Sequence, residues 1–89
     1  MTNQILYRIC TENVNREEIM RLCDKYLDGY SVWAGVGSWK GKQEDSLMIE
    51  YAGTSAYRNI ITGIAERIKI INFQESVLVQ ELDIRSRFI

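Results

Sequence analysis

The spacing of apolar residues along this chain changes in a fixed order, and that order constrains the fold more than any other feature. A spacing of two residues, typical of strands, alternates with a spacing of about 3.6 residues, typical of helices packed on one side. The order is strand, helix, strand, strand, helix, strand. With 89 residues, the chain has room for one hydrophobic core and not for two. We therefore expect a single domain over residues 1–89.

The first half of the chain contains the best-marked helix. Residues 4–11 alternate between polar and apolar side chains and predict the first strand. Asn15 follows as a candidate N-cap, with Glu18 three residues on as its capping-box partner. Gly29 is expected to end the helix in the left-handed conformation. The apolar stripe of this helix comprises Ile19, Leu22, Cys23, Tyr26 and Leu27.

The middle of the chain predicts a hairpin. Residues 30–39 are rich in aromatic and β-branched side chains and predict the second strand. The polar, glycine-containing residues 40–45 predict the hairpin loop. Residues 46–51 then predict the third strand, in which Leu47 and Ile49 face one side and Glu50 faces the other.

A second helix, capped by Thr54 or Ser55, precedes a fourth strand predicted over residues 75–84. A short tail, residues 85–89, follows. The simplest assembly of these elements is an α+β fold with a four-stranded antiparallel sheet and both helices on one face, the ferredoxin-like arrangement. The apolar stripe of the second helix comprises Tyr57, Ile60, Ile61, Ile64, Ile68 and Ile71.

This arrangement leaves the other face of the sheet uncovered. Leu6, Trp33, Trp39 and Met48 cannot all lie under two helices, so part of this apolar surface is expected to contact another subunit. A chain of this size also often completes its burial of apolar surface by oligomerising.

Charge and hydropathy exclude several classes of protein. The formal net charge is -1, so the chain has no field that would attract a phosphate backbone, and we expect no nucleic-acid partner. The short basic pairs Lys40 with Lys42 and Arg85 with Arg87 are typical of solvated turns. No segment has the apolar length of a signal peptide or a membrane span, so we expect a soluble, cytoplasmic protein without a membrane partner.

The titratable residues exclude other kinds of chemistry. The chain has two cysteines, Cys10 and Cys23, which form no C-x-x-C pair, and it has no histidine. We expect both cysteines to be buried free thiols, with neither a metal site nor a cofactor. The lack of histidine also excludes catalytic triads built on imidazole.

The glycine-rich segment at residues 35–41 is the most unusual part of the sequence. It is not a nucleotide fingerprint of the Rossmann or P-loop type, because those glycines open a helix whereas a hairpin follows here. The strand period places Trp33, Gly35, Gly37 and Trp39 on one face, as a strip of bare backbone flanked by two indoles. A flat ligand ring, a second backbone or a large side chain could lie on this strip. Alternatively, the glycines form a β-bulge and the tryptophans are interface core.

Two glutamates on or near the same face are further candidates. Glu50 lies on the uncovered face, where a buried carboxylate would need an arginine, a lysine, a hydroxyl or a cationic ligand as its partner. Glu44 is predicted to lie in the hairpin loop, where composition alone favours a solvated side chain.

The hairpin also resembles a known family. Its pattern is G-Y-S at residues 29–31, G-V-G-S-W at 35–39, a glycine at 41, and E-D-S at 44–46 before an apolar strand that ends in Glu50. This pattern resembles the central hairpin of small phage and prophage proteins with a PII-like ferredoxin fold. The phage S-adenosylmethionine lyases are similar in this region. The match covers roughly a quarter of the chain.

The resemblance implies a homotrimer, with the sheets packed around the threefold axis and small-molecule sites between neighbouring subunits. In the lyase-like members, a tyrosine on the hairpin and a glutamate just before the third strand serve the site. The matching positions here are Trp33 and Glu44, so the hydroxyl of the tyrosine is absent.

The leading hypothesis is a viral-type protein that binds a nucleotide-like small molecule at subunit interfaces, to sequester or sense a signal. Trp33 and Trp39 would stack on a base, and Gly35 and Gly37 would allow close approach. Lys40 and Lys42 would meet any phosphate, and Glu44 would accept a hydrogen bond from an amino or hydroxyl group.

Two alternatives come from other classes of protein. In the first, the chain is an S-adenosylmethionine lyase that folds its substrate into the geometry of attack, with Glu44 as its candidate catalytic residue. In the second, the chain is a structural or regulatory oligomer whose aromatic face is an interface and binds no ligand.

Overall fold

The computed structural model describes residues 2–89, and its elements follow the order predicted from the sequence. A single turn of 3-10 helix, Ser55–Tyr57, precedes the second helix. The elements are β1 (Thr2–Glu12), α1 (Arg16–Tyr26), β2 (Ser31–Trp39), β3 (Lys42–Gly53), α2 (Arg58–Ile71) and β4 (Leu78–Ser86).

The four strands form one antiparallel sheet in the order β2-β3-β1-β4. The predicted ferredoxin-like arrangement is therefore confirmed. Both helices cover one face of the sheet, where they share a single core with the odd-numbered residues of β1 and β3. That core contains Tyr7, Ile9, Ile19, Cys23, Leu47, Ile49, Tyr51, Ile61, Ile64 and Ile68. The opposite face, which we call the open face, carries the even-numbered residues of β1, β3 and β4.

The ends of α1 differ from the prediction. Asn15 immediately precedes the helix, but it adopts a left-handed backbone conformation and its side chain makes no capping hydrogen bond. Its amide instead donates to the carbonyl oxygen of Ile71 at 3.3 Å and to Oδ1 of Asn72 at 3.1 Å. The capping role was wrong because the end of α2 competes for this side chain. Gly29 does not end α1 either, since the helix ends at Tyr26 and its C-cap, Leu27, has an extended backbone.

The hairpin is longer and tighter than predicted. Residues 40–45 are not a loop, because β3 already begins at Lys42 and Glu44 lies within it. Only Lys40 and Gly41 connect the strands, with φ angles of 50° and 78°. Two successive positive φ angles define a type I′ turn, whose twist suits a two-residue hairpin. The register continues without a break from Ser31 to Trp39, so the alternative in which the glycines form a bulge was wrong.

The remaining boundaries shift by a few residues. The Thr54 hydroxyl accepts a hydrogen bond from the Ala56 backbone N–H at 3.3 Å, so it caps the 3-10 turn rather than α2 itself. The fourth strand covers Leu78–Ser86 instead of residues 75–84.

Cys23 is buried, but Cys10 lies on the open face and is only partly buried, so the prediction of two buried thiols was wrong for Cys10. Among the described residues, no helix is long and apolar enough to cross a membrane.

Candidate functional site at the hairpin end of the sheet

The register places the predicted tryptophans and glycines together on the open face. An added Cβ at Gly35 or Gly37 would find its nearest neighbour at 3.8 Å, on Ser46, so neither position is crowded. Trp33 and Trp39 are 59% and 68% exposed as whole residues. The paired positions are Trp33 with Met48, Gly35 with Ser46, Gly37 with Glu44, and Trp39 with Lys42.

Glu50 already has partners within the chain. Its Oε2 accepts from Nε and Nη2 of Arg8 at 3.1 and 3.0 Å, and its Oε1 accepts from Nε1 of Trp33 at 2.7 Å. Arg8 and Glu50 are register partners on adjacent strands. The expectation that this carboxylate meets a cationic group is therefore confirmed, and the group is Arg8. Both carboxylate oxygens and the indole N–H of Trp33 are engaged in this arrangement.

The hairpin projects beyond the rest of the sheet. The last link to its neighbour is the Asn13 backbone N–H, which donates to the carbonyl oxygen of Asp45 at 3.0 Å. Beyond this point the hairpin has two strands only, for roughly 10 Å at about 3.4 Å per residue. Lys40 and Lys42 lie at its tip. The ammonium of Lys40 is 5.9 Å from the centroid of the Trp39 ring, within reach of a cation–π contact.

A cleft of about 780 Å³ lies where this hairpin meets the connection between α2 and β4. We call it the end cleft. Gly37, Trp39 and Glu44 line it from the hairpin, and the end of β1 contributes Glu12. Phe73, Gln74, Glu75, Ser76 and Leu78 line it from the connection and the start of β4.

The predicted site residues therefore separate into three groups. Gly37, Trp39 and Glu44 line the end cleft. Trp33 and Glu50 belong to the cluster with Arg8 in the middle of the open face, with Gly35 between the two groups. The two lysines lie at the hairpin tip.

The end cleft is acidic and aromatic. Four carboxylates, from Glu12, Glu44, Asp45 and Glu75, lie among its lining residues. None of the lining residues in the described part of the chain is a lysine or an arginine. These carboxylates favour a neutral or cationic group within the cleft, whereas Lys40 and Lys42 lie beside Trp39 at its hairpin edge.

Sequence reasoning missed the contribution of the connection between α2 and β4. Residues 72–74 have no apolar period and carry no signal beyond that of a loop, and residues 75–77 were assigned to the fourth strand, which begins only at Leu78. A polar network anchors them. The buried hydroxyl of Thr11 donates to Oε1 of Gln74, which also accepts from Nδ2 of Asn72 at 2.9 Å. Nε2 of Gln74 donates to the carbonyl oxygen of Ser76 at 3.2 Å.

Two further clefts lie elsewhere. One of about 630 Å³ lies at the opposite end of the sheet, beside Gln4, Ser55 and Ile84. The other, of about 380 Å³, lies between the helices at Tyr26 and Ile60. Neither contains a predicted site residue. Within residues 2–89, no three cysteine, aspartate or glutamate side chains are grouped so that they could hold a metal ion. Burial is the main cause that raises the pKa of the Cys10 thiol, and it raises the pKa of Cys23 to about 11, so neither favours the thiolate.

The fold is that of PII-like proteins. CPII, a nitrogen regulatory PII-like protein from Thiomonas intermedia K12 bound to ADP, AMP and bicarbonate, matches with a TM-score of 0.68 and 14% identity over 98% of each chain. A DUF3240 family protein from Shewanella baltica OS155 matches with a TM-score of 0.76 and 12% identity, over 100% of this chain and 98% of that one.

A third similar structure is the GlnK–ATP complex of B. subtilis. It has a TM-score of 0.62 and 18% identity, over 90% of this chain and 82% of that one. No protein-family model and no curated protein sequence matches the chain. At these identities the similarity establishes the fold alone.

Proposed function

We propose that this chain is a PII-like regulatory protein that binds a nucleotide-like small molecule at its end cleft. The observation that carries the proposal is the exposed indole of Trp39 at the mouth of this cleft, on a fold whose solved relatives include complexes with ADP, AMP and ATP. An exposed aromatic ring is a stacking platform for a base. Glu44, on the same hairpin, can accept a hydrogen bond from an amino or hydroxyl group of the ligand.

The proposal includes a homotrimer in which the end cleft lies between neighbouring subunits. Its support is the open face, where Trp33, Leu78 and Leu82 are 59%, 56% and 43% exposed beside the paired charges of Arg8 and Glu50. An uncovered apolar face of this kind is typical of an interface. Any phosphate of the ligand would meet Lys40, whose ammonium is 5.9 Å from the ring centroid of Trp39, and Lys42, the register partner of Trp39. We also propose a cytoplasmic location, which suits the free thiols of Cys10 and Cys23.

Calorimetric titration with AMP, ADP and ATP tests the proposal. The wild-type protein is expected to bind at least one of them, and Trp39→Ala to weaken that binding by about ten-fold through loss of stacking. Trp33→Phe, checked to keep the oligomer mass of the wild type, is the control, because Trp33 lies outside the end cleft but on the proposed interface. A loss of binding in Trp33→Phe but not in Trp39→Ala would move the site to the middle of the open face. No binding of any of the three nucleotides by the wild type would contradict the proposal.

The acidic lining supports one alternative, S-adenosylmethionine as ligand or substrate. A sulfonium is a cation that carboxylates and aromatic faces attract, and the end cleft offers both. Release of methylthioadenosine by the wild type would identify a lyase, and Glu44→Gln should then abolish turnover. Binding without release would leave a binding protein. The phage relationship stays a prediction from the hairpin pattern alone.

A further inference from the structure

We propose that Phe73 is a second aromatic contact for the ligand in the end cleft, opposed to the hairpin that carries Trp39. The inference rests on the proposed function for the existence of a ligand with a flat ring. Phe73 lies in the connection between α2 and β4, outside the segment that the sequence pattern marked as a site. Three observations support the inference: the backbone conformation of Phe73, the exposure of its ring, and the hydrogen bonds that anchor the residues beside it.

The backbone of Phe73 is left-handed, with φ at 54°. It occupies the position after the C-cap of α2 in a Schellman motif. The Gln74 N–H donates to the carbonyl oxygen of Lys69 at 3.0 Å, and the Phe73 N–H donates to that of Ile70 at 3.3 Å. Glycine is the usual residue here because it has no Cβ to clash in the left-handed region. A bulky aromatic residue in this conformation is a genuine outlier.

The ring of Phe73 makes no packing contact that would offset this strain, since 96% of the residue is exposed. The residues on either side of Phe73 are instead fixed by side-chain hydrogen bonds. Asn72 donates to Oγ1 of Thr11 at 3.3 Å and to Oε1 of Gln74 at 2.9 Å. The turn is therefore fixed on both sides of a phenyl ring that points into solvent beside the cleft. Strain that the surrounding structure maintains without a packing benefit is typical of a functional position.

Phe73→Gly separates function from stability, because the two should change in opposite directions. Glycine relieves the left-handed strain and removes no packing, so the melting temperature is expected to rise by about 4 to 8 °C. The same change removes the aromatic face, so the affinity for the nucleotide that the wild type binds most tightly among AMP, ADP and ATP is expected to fall by about ten-fold.

Two further variants complete the test. Phe73→Tyr keeps the ring and the strain, so it should retain both the affinity and the melting temperature of the wild type. Phe88→Gly removes a phenyl ring that is fully exposed outside the cleft and should leave the affinity unchanged. Wild-type affinity in Phe73→Gly would overturn the inference while leaving the proposed function intact. A lower melting temperature in Phe73→Gly would show that the ring packs within the assembly, which would also overturn it. Absence of nucleotide binding by the wild type would overturn the proposed function, and the inference with it.

Discussion

Glu44 and Glu50 lie on the same face of β3, yet they have different environments. Glu50 is enclosed by Arg8 and Trp33, with about a fifth of its side chain exposed, whereas Glu44 is exposed beside the end cleft. The carboxylate of Glu50 contributes to the fold, because it satisfies two charged or polar donors on neighbouring strands. The carboxylate of Glu44 is left available to a ligand. The same residue type on one strand face therefore serves structure at one position and is a candidate for function at the other.

Glu50→Gln is expected to lower the free energy of unfolding by about 1 to 2 kcal/mol, because it removes the charge that the hydrogen bonds of Arg8 depend on. Glu44→Gln, on the same face of the same strand, should change it by less than about 0.5 kcal/mol. Urea midpoints at one protein concentration measure both. Equal effects of the two changes would mean that the Arg8–Glu50 pair does not stabilise the sheet.

At the scale of elements, the sequence predicted the strands and helices well where one face is buried. It failed where neither face is buried. The residues after the turn, Lys42 to Asp45, are all polar and give no alternation, so the projecting part of β3 looked like a loop. Asn15 was misassigned for a different reason. Its partners at the end of α2 are 56 and 57 residues away, and no local pattern indicates them.

The contact between α2 and β4 is expected to make stability depend on pH. Arg58 donates from Nη2 and Nε to the carboxylate of Glu81, at 2.7 Å for the shortest bond. These hydrogen bonds hold the pKa of Glu81 below its ordinary value. A carboxyl group with a lowered pKa in the folded state adds stability above its unfolded pKa, and that stability is lost as the pH falls through the folded pKa.

The melting temperature of Glu81→Gln should therefore be lower than that of the wild type at neutral pH, and the gap should close below about pH 4. Glu66→Gln, an exposed change on α2, is the control and should show no such gap. Melting curves from neutral pH to about pH 3 measure the difference. A gap that stays constant across this range would mean that Glu81 acts through packing rather than through its charge.

For the whole molecule, the order in which the spacing of apolar residues changes predicted the topology. Each spacing is typical of one kind of element, and six elements in this order can form only a few sheet topologies. The site was predicted in part. Gly37 and Trp39 lie on the face that the strand period predicted, and Glu44, which was predicted to lie in a loop, lies within β3 on the same face. The second wall of the end cleft comes from residues 73–76 and Leu78, which only the folded chain brings to the hairpin. A site built from two distant segments cannot be recognised from the periodicity of either one.

Native mass spectrometry of the purified protein tests the central claim most directly, because it reports the assembly and any bound small molecule together. We expect a species of three 10.4 kDa chains that carries added nucleotide, and the same trimer with little nucleotide in Trp39→Ala. A single chain at every protein concentration would contradict both the open-face interface and a cleft completed by a neighbouring subunit. A trimer that retains nucleotide equally well in Trp39→Ala would contradict the placement of the site at the end cleft.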